Sequence, residues 1–241
     1  MVPSETYSTN FIRQAVCELR FPTLFELEGP RPPAAFARAM RKEYPHQDVI
    51  QSVNLGPGQM SQSNSHTFKS KGRHWSVSLR SSAVVLETTR YTTFFDFRAR
   101  LDSLLRAASE VIDSDFFTRV GLRYINVLPY MHSDAGYWVN EALVAPMVEG
   151  VYGDVSEFSQ RIAGVTPVGG YLMQHGALPN DVGLSTEYSL DYDLFSEEVS
   201  LIDTLAIVDR LHELEFSLFM WSLGPVAREH LKTTSEKVGH E

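Results

Sequence analysis

The same order of predicted elements occurs twice along the chain, and this recurrence limits the fold more than any single motif. Each half is predicted to contain a strand, a helix, several strands and a second helix. The first strands begin 105 residues apart, at Ala15 and Val120, and the last helices begin 107 residues apart, at Phe94 and Leu201. Offsets that match at both ends predict the duplication of one α+β unit.

The first strand of each half is predicted from its residue pattern. Residues 15–21 alternate, which places Cys17 and Leu19 on one face and Glu18 and Arg20 on the other. Pro22 ends this strand. The corresponding strand of the second half covers residues 120–128, before a proline.

Helices are predicted where apolar residues recur at three- and four-residue steps. One helix follows Pro32-Pro33 and ends near Tyr44, and another begins after Thr92 or Thr93, either of which is a suitable N-cap. A long helix is expected from about Leu201 to Leu223. Its apolar stripe comprises Ile207, Leu211, Leu214, Leu218 and Trp221.

These elements predict an α+β protein built from two β-α-β-β-β-β-α units. The expected architecture is a curved antiparallel sheet with helices on one face, as in TATA-binding-protein-like or helix-grip folds. The first repeat covers residues 1–119, the second covers 120–232, and 233–241 forms a disordered tail. The two first strands then meet at the centre of the sheet. We expect Glu18, Arg20 and Arg123 to lie close on one face, where cross-strand charge pairs contribute about 0.2–1 kcal/mol.

The charge is uneven along the chain. The net charge is −9, with 21 basic and 30 acidic residues. Residues 1–119 carry 15 basic and 12 acidic residues, whereas 120–241 carry 6 and 18. A chain this acidic is not a typical nucleic-acid-binding protein. However, residues 69–106 hold 8 basic residues against 3 acidic ones, so one basic segment stands out.

Cysteine usage and hydropathy bear on the compartment. Cys17 is the single cysteine, so no internal disulfide forms, and its apolar strand predicts a buried, inert thiol. We find neither a secretory signal pattern nor an apolar run of about 18 residues in the sequence. We therefore expect a cytoplasmic protein without a membrane segment.

Catalytic motifs are not found in the sequence. It lacks the nucleophile elbow, the phosphate-binding loop and the dinucleotide fingerprint. The closest candidate histidines for a metal site, His66 and His74, flank a predicted turn with no cysteine or carboxylate beside them. We expect no catalytic residues, no metal and no cofactor.

Four short segments resemble a known family. They are residues 15–21 (AVCELRF), 121–126 (GLRYIN), 190–193 (LDYD) and 209–212 (DRLH). In this order they resemble landmarks of a family of sporadically distributed bacterial proteins of similar length. The resemblance implies a bacterial protein of mobile or defence-linked loci, with an accessory or interaction role. It implies no activity and no catalytic residues.

The leading hypothesis is a non-enzymatic interaction protein, acting as an accessory subunit, a regulator or an immunity-type partner. Its acidic second half would meet a basic protein, and mimicry of nucleic acid is one version of this hypothesis. The candidate partner-binding residues are Asp191, Asp193, Glu197 and Glu198. A neighbouring gene is expected to encode the partner, and a homodimer is a further option.

Two alternatives stay open. One is a nucleic-acid-binding protein that uses Lys69, Lys71, Arg73, Trp75 and Arg80 on the sheet, with the aromatic ring stacking on bases. The other is a small-ligand-binding or enzymatic helix-grip pocket, which requires an enclosed cavity lined by convergent polar groups.

Overall fold

The computed structural model describes residues 10–56, 59–129, 135–153, 155, 157–178 and 186–236. The described residues form an α+β fold of nine strands and six α-helices. The strands are β1 (Ile12–Arg20), β2 (His46–Gly56), β3 (Gln59–Lys69), β4 (Trp75–Leu79), β5 (Ala83–Thr88), β6 (Phe116–Pro129), β7 (Phe158–Val165), β8 (Gly170–Ala177) and β9 (Glu187–Ser200). The helices are α1 (Ala34–Met40), α2 (Phe94–Ser109), α3 (Ala135–Trp138), α4 (Glu141–Val148), α5 (Thr204–Ser222) and α6 (Pro225–Glu236), and Phe25–Glu28 forms a 3-10 helix.

The strands form one sheet in the order β2-β3-β4-β5-β1-β6-β9-β8-β7. Pairing is antiparallel between β1 and β5, along β2-β3-β4-β5, and between β7 and β8. The chain divides into two compact units. Of the described residues, the N-terminal unit comprises those within Gln14–Arg123 and Phe195–Asp209, and the C-terminal unit comprises 10–13, those within Tyr124–Leu194, and 210–236. Both units are therefore discontinuous in sequence.

One face of the sheet in the N-terminal unit is fully buried. Cys17 pairs with Leu86, which pairs with Val77 on its other side, and none of the three side chains is exposed. Alternation in three neighbouring strands therefore places their apolar residues on one surface.

Helices α1 and α2 cover this buried face. Phe36 of α1 packs against Phe68 of β3 with ring centroids 5.6 Å apart. Phe97 of α2 packs against Trp75 of β4 at 5.8 Å. The N-terminus of α2 is as predicted, because the Thr93 hydroxyl accepts a hydrogen bond of 3.2 Å from the backbone N–H of Asp96.

The other face of the same strands carries polar side chains, and we call it the polar face. Thr67 and Ser78 oppose each other on β3 and β4, and their hydroxyls are 3.1 Å apart. Glu87 of β5 accepts a 2.9 Å hydrogen bond from the Gln14 amide of β1. The alternation predicted for residues 15–21 places Glu18 on this face.

The C-terminal unit has its own core. Tyr188, Leu190 and Tyr192 of β9 are fully buried. Near the unit's helices, Trp138 and His230 both contact the ring of Phe11, at centroid distances of 6.4 and 5.7 Å. The hairpin β7-β8 pairs along all of its residues.

Helix α5 differs from the sequence expectation in the face that it buries. Of the predicted stripe, Leu211 is buried, whereas Trp221 is 50% exposed. The buried positions of α5 are Thr204, Val208, Leu211, Glu215 and Ser222. The prediction was wrong for Trp221, and it left out the three polar residues that the helix buries, Thr204, Glu215 and Ser222.

A further difference concerns the C-terminal tail, which was expected to be disordered over 233–241 and is helical as far as Glu236. Residues 237–241 lie outside the described part of the chain. Between β6 and β7 the chain forms α3 and α4, and the Asn140 side chain caps α4 by accepting from the Ala142 N–H. In the described part of the chain, no helix combines the length and apolar character needed to cross a bilayer.

Candidate functional site: a charged cluster on the sheet

Four charged side chains meet on the polar face of the N-terminal unit. Glu18 of β1 accepts a hydrogen bond of 2.6 Å from Nε of Arg20. Its carboxylate also lies 3.8 Å from Nη1 of Arg80 and 3.6 Å from Nη1 of Arg119. We call Glu18, Arg20, Arg80 and Arg119 the Glu18 cluster.

Arg119 is the most enclosed member of the Glu18 cluster. Its side chain is 14% exposed, and its guanidinium carbon lies 4.5 Å above the ring of Phe195. Gly121, two residues along β6, makes room for this arrangement, since a Cβ there would lie 2.1 Å from Nη1 of Arg119. The sequence thus places a glycine where the guanidinium crosses the strand.

The cluster has an excess of positive charge. Three guanidinium groups surround one carboxylate, so its net charge is 3 − 1 = +2. The side chains of Arg20 and Arg80 are 54% and 52% exposed, and within the described residues Glu18 is the carboxylate that they pair with. Each guanidinium has five N–H donors, so a second anion can bind from the solvent side.

Arg123 was expected beside Glu18, and the structure places Arg119 there. β1 and β6 are neighbours in the sheet, as the expectation requires. Phe117 and Val120 are both buried, so the alternation of β6 changes phase between them. Arg123 lies further along the same face of β6 and is exposed.

Basic residues proposed for nucleic-acid binding are dispersed. Lys69 pairs with Asp48 at 3.0 Å, and Lys71 and Arg73 lie in the β3-β4 turn. Trp75 is buried on the helix-covered face, so its ring is not available for stacking on bases. Of the proposed set, Arg80 belongs to the Glu18 cluster.

The arginines of α2 are already paired with carboxylates. Arg98 forms two hydrogen bonds to Asp209. Arg100 contacts Asp96 at 3.2 Å and lies over the Trp75 ring at 4.4 Å. Arg106 contacts an aspartate one turn earlier at 2.6 Å. The basic segment 69–106 is therefore not a continuous cationic surface.

The four acidic candidates do not share one strand face. Asp191 and Asp193 alternate along the part of β9 that belongs to the C-terminal unit, and both are partly buried. Glu197 and Glu198 are exposed in the N-terminal unit, where Glu198 has a φ of 52°. This left-handed residue indicates a bulge, which interrupts the alternation.

A buried carboxyl group that the sequence analysis missed lies in the C-terminal unit. Glu215 of α5 is 1% exposed, and its Oε1 accepts a 3.0 Å hydrogen bond from the backbone N–H of Tyr124. Its Oε2 has no hydrogen-bond partner among the described residues. Burial raises the pKa of this carboxyl well above its ordinary value, and the charges of Asp193 and Asp191 raise it further.

Polar groups surround Glu215. The hydroxyl of Tyr124 lies 3.2 Å from Nδ1 of His212. Tyr192 donates a 2.6 Å hydrogen bond to Ser222, and burial raises the pKa of its phenol. Among the described residues, no group of three or more histidine, cysteine or acidic side chains is arranged to hold a metal ion.

One backbone group of β6 and one of β9 form hydrogen bonds with side chains. The Tyr124 N–H of β6 donates to Glu215, and the Leu190 carbonyl of β9 accepts from Asn126 at 3.4 Å. Neighbouring strands β6 and β9 thus use side chains to satisfy part of their backbone.

Each unit has a surface cleft. The N-terminal unit has one of about 170 Å³ between α1 and α2, lined in part by Tyr44, Arg100 and Leu104. The C-terminal unit has an open cleft of about 760 Å³ near Asn140, Gly224 and other helix residues. Neither cleft is lined by Glu215.

The thiol of Cys17 is buried, as predicted. Its side chain is not exposed, and burial raises its pKa to about 12. Such a thiol is not a nucleophile near neutral pH.

A scan of the chain against protein-family models finds no match, and a search of curated proteins finds none either.

Proposed function

We propose that this chain is a non-enzymatic interaction protein that binds an acidic segment of a partner protein at the Glu18 cluster. The proposal rests on one observation, the placement of three guanidinium groups around a single carboxylate on the polar face of the sheet. Charged groups aligned this way contribute to the rate and specificity of association. Such a protein acts as an accessory or regulatory subunit.

The geometry favours a carboxylate ligand. Arg20 and Arg80 project from adjacent parts of the polar face and are about half exposed, and Glu18 lies between them. Planar guanidinium groups bind carboxylates in a bidentate manner. A partner Asp or Glu can bind both arginines at their exposed sides while Glu18 keeps them oriented.

Nucleic acid fits the described surface less well. Binding to phosphates requires many cationic groups, whereas the arginines of α2 and Lys69 are paired with carboxylates. Trp75 is buried, which removes the stacking platform of that hypothesis. The net charge of −9 also opposes nonspecific binding to nucleic acid.

We further propose that the fold arose by internal duplication and belongs to the TATA-binding-protein-like or helix-grip class. The strand order supports this, since β1 and β6, the first strands of the two halves, are neighbours in the middle of the sheet. Membership of the bacterial family that the four segments resemble is likewise a proposal. An accessory role in a mobile or defence-linked locus follows from it.

Co-expression with the neighbouring genes tests the proposed function. We expect a protein partner to co-purify at low salt and to dissociate at high salt, because screening weakens exposed charge pairs. Light scattering gives the mass of the complex, and the 260/280 nm ratio detects nucleic acid. A high ratio that falls on nuclease treatment would favour the nucleic-acid hypothesis.

A matched pair of variants locates the binding site. Arg20→Glu with Arg80→Glu reverses two charges in the Glu18 cluster, and we expect the partner to be lost. Arg31→Glu with Arg90→Glu makes the same change in charge at exposed loop positions of the same unit, and binding should persist. If both double variants lost partner binding equally, the loss would be due to the change in net charge, and the proposed site would be contradicted.

A further inference from the structure

We propose that two copies of this chain pair antiparallel along β7 to form a dimer. β7 is the last strand at one end of the sheet, and in the described part of the chain it pairs with β8 alone. A strand in this position presents a row of backbone N–H and C=O groups that favours pairing with another strand.

The β7 edge lacks the usual protection against such pairing. All eight of its residues pair in register with β8, so it has no bulge in that ladder. It contains no proline and one charged residue, Arg161. Ile162 and Val165 are 40% and 86% exposed. Natural edge strands are blocked by prolines, bulges and charges, and this strand has little of that protection.

The β7-β8 turn shows which backbone groups face outward. Thr166 and Gly169 exchange both backbone hydrogen bonds, at 2.7 and 3.2 Å. Because hydrogen-bonded pairs alternate with non-hydrogen-bonded pairs, Gly164, Ile162 and Gln160 direct their backbone groups to β8. The intervening residues, Ser159 and Arg161 among them, direct theirs to the free edge.

A twofold axis at Gln160 gives a self-complementary register. In antiparallel pairing, opposite residues share a face, so Phe158 of one copy lies opposite Ile162 of the second copy. Arg161 then lies opposite Ser159 of the second copy, and its two diagonal neighbours are Glu157 and Arg161 of that copy, so one diagonal pair has opposite charges and one has like charges. Neither Glu157 nor Arg161 forms an ion pair with a described residue of its own chain.

The unprotected edge and the self-complementary register of β7 together favour a second copy of this chain as the strand that pairs with it. β7 supplies the apolar pair and Arg161, the residue just before it supplies the opposite charge, Glu157, and the twofold axis repeats each contact. An isologous contact of this kind closes the assembly at two subunits. One face of each β7 also continues the side of the sheet on which Met173 and His175 are buried.

Light scattering over a concentration series tests the dimer. Each copy carries a net charge of −9, so the measurement is made at 0.15 M salt or above, where repulsion is screened. We expect a mass twice 27.2 kDa. Ile162→Lys should raise the dissociation constant by about tenfold or more, since it places a charge opposite Phe158. Ile202→Lys, the same substitution at a 90% exposed position outside β7, is the control.

Cysteine crosslinking tests the register. Gln160→Cys places two thiols opposite each other at a non-hydrogen-bonded pair, where Cα atoms are about 4.5 Å apart, close enough for a disulfide. Ala163→Cys, which lies opposite Glu157 of the second copy, should not crosslink. Cys17 is buried and contributes little background. A monomer at all concentrations, a dimer unaffected by Ile162→Lys, or crosslinking through Ala163→Cys would overturn the proposal.

Discussion

The burial of Glu215 predicts that the free energy of unfolding depends on pH, and a single substitution at this position should remove that dependence. Burial raises the pKa of its carboxyl well above the ordinary value of 4.5. The folded protein therefore binds this proton more tightly than the unfolded chain. The resulting stability is fully present below pH 4.5 and is lost as the pH rises through the folded-state pKa.

The magnitude follows from the linkage relation. Between the two pKa values, one proton more is bound in the folded state, so the free energy of unfolding falls by up to about 1.4 kcal/mol per pH unit. Glu215→Gln stays neutral and keeps a carbonyl acceptor for the Tyr124 N–H. Its free energy of unfolding should match that of the wild type below pH 4.5 and should exceed it by a growing amount as the pH rises above 4.5, because the wild type loses stability.

A second variant isolates the hydrogen bond from the charge. Glu215→Leu removes the carboxyl oxygen that accepts from the Tyr124 N–H at 3.0 Å. Loss of this buried hydrogen bond should cost about 1–3 kcal/mol below pH 4.5, where the stability contributed by the raised pKa is fully present. The cost relative to wild type should shrink at higher pH, because the leucine variant does not ionise.

Urea denaturation followed by circular dichroism at pH 4, 5, 6, 7 and 8 measures these differences. Asp193 and Asp191, whose charges raise the pKa of Glu215, are present in all three proteins, so only the side chain at position 215 differs among them. Parallel pH profiles for wild type and Glu215→Gln would refute the reasoning, because the raised pKa would then make no contribution to folding.

Three other outcomes are expected. Gly121→Ala should displace the Arg119 guanidinium. The free energy of unfolding should fall by less than about 1 kcal/mol, because only the end of a flexible side chain moves. Partner binding at low salt should weaken, and unchanged binding would contradict this. Gly224→Ala should destabilise by about 1–3 kcal/mol in urea, since its Cβ would lie 2.4 Å from the backbone oxygen of Tyr137, and an unaltered midpoint would count against it. The Cys17 thiol, with its pKa raised to about 12, should react with a thiol reagent at pH 8 only after unfolding; rapid labelling of the native protein would disprove its burial.

Residue patterns were sufficient to predict β1, β6 and the start of α2. Residues 15–21 alternate because one face of β1 packs on helices and the other is polar, so the pattern directly reflects the environment. The Thr93 cap was similarly predictable, since its hydrogen bond to Asp96 is local in sequence. Local physics determined these features.

The composition of the Glu18 cluster was less predictable. Alternation assigns Glu18, Arg20 and Arg123 to one face, but it does not fix the register of β1 against β6 or the phase change near Val120. Arg80 comes from a different hairpin, and nothing local predicts its approach to Glu18. Three-dimensional register therefore decided which arginines meet.

Glu215 was missed because the buried face of α5 was predicted from its apolar residues alone. It lies four residues after the buried Leu211 and belongs to the same helical face. This four-residue spacing from Leu211 was the feature of the sequence that could have predicted the burial of Glu215. Trp221, an apolar residue on a different face, is half exposed, so hydropathy alone misplaced the rotation of α5.

The hydrogen bond between Tyr124 and Glu215 has a consequence for the order of folding. Its two residues are 91 apart in sequence, and the acceptor belongs to a helix that forms near the end of the chain. Hairpins such as β7-β8 close short loops and can form early, whereas this contact must wait for a long loop to close. A nascent chain that still lacks α5 therefore cannot form this hydrogen bond, and translation must pass Glu215 before the carboxyl group can reach the Tyr124 N–H.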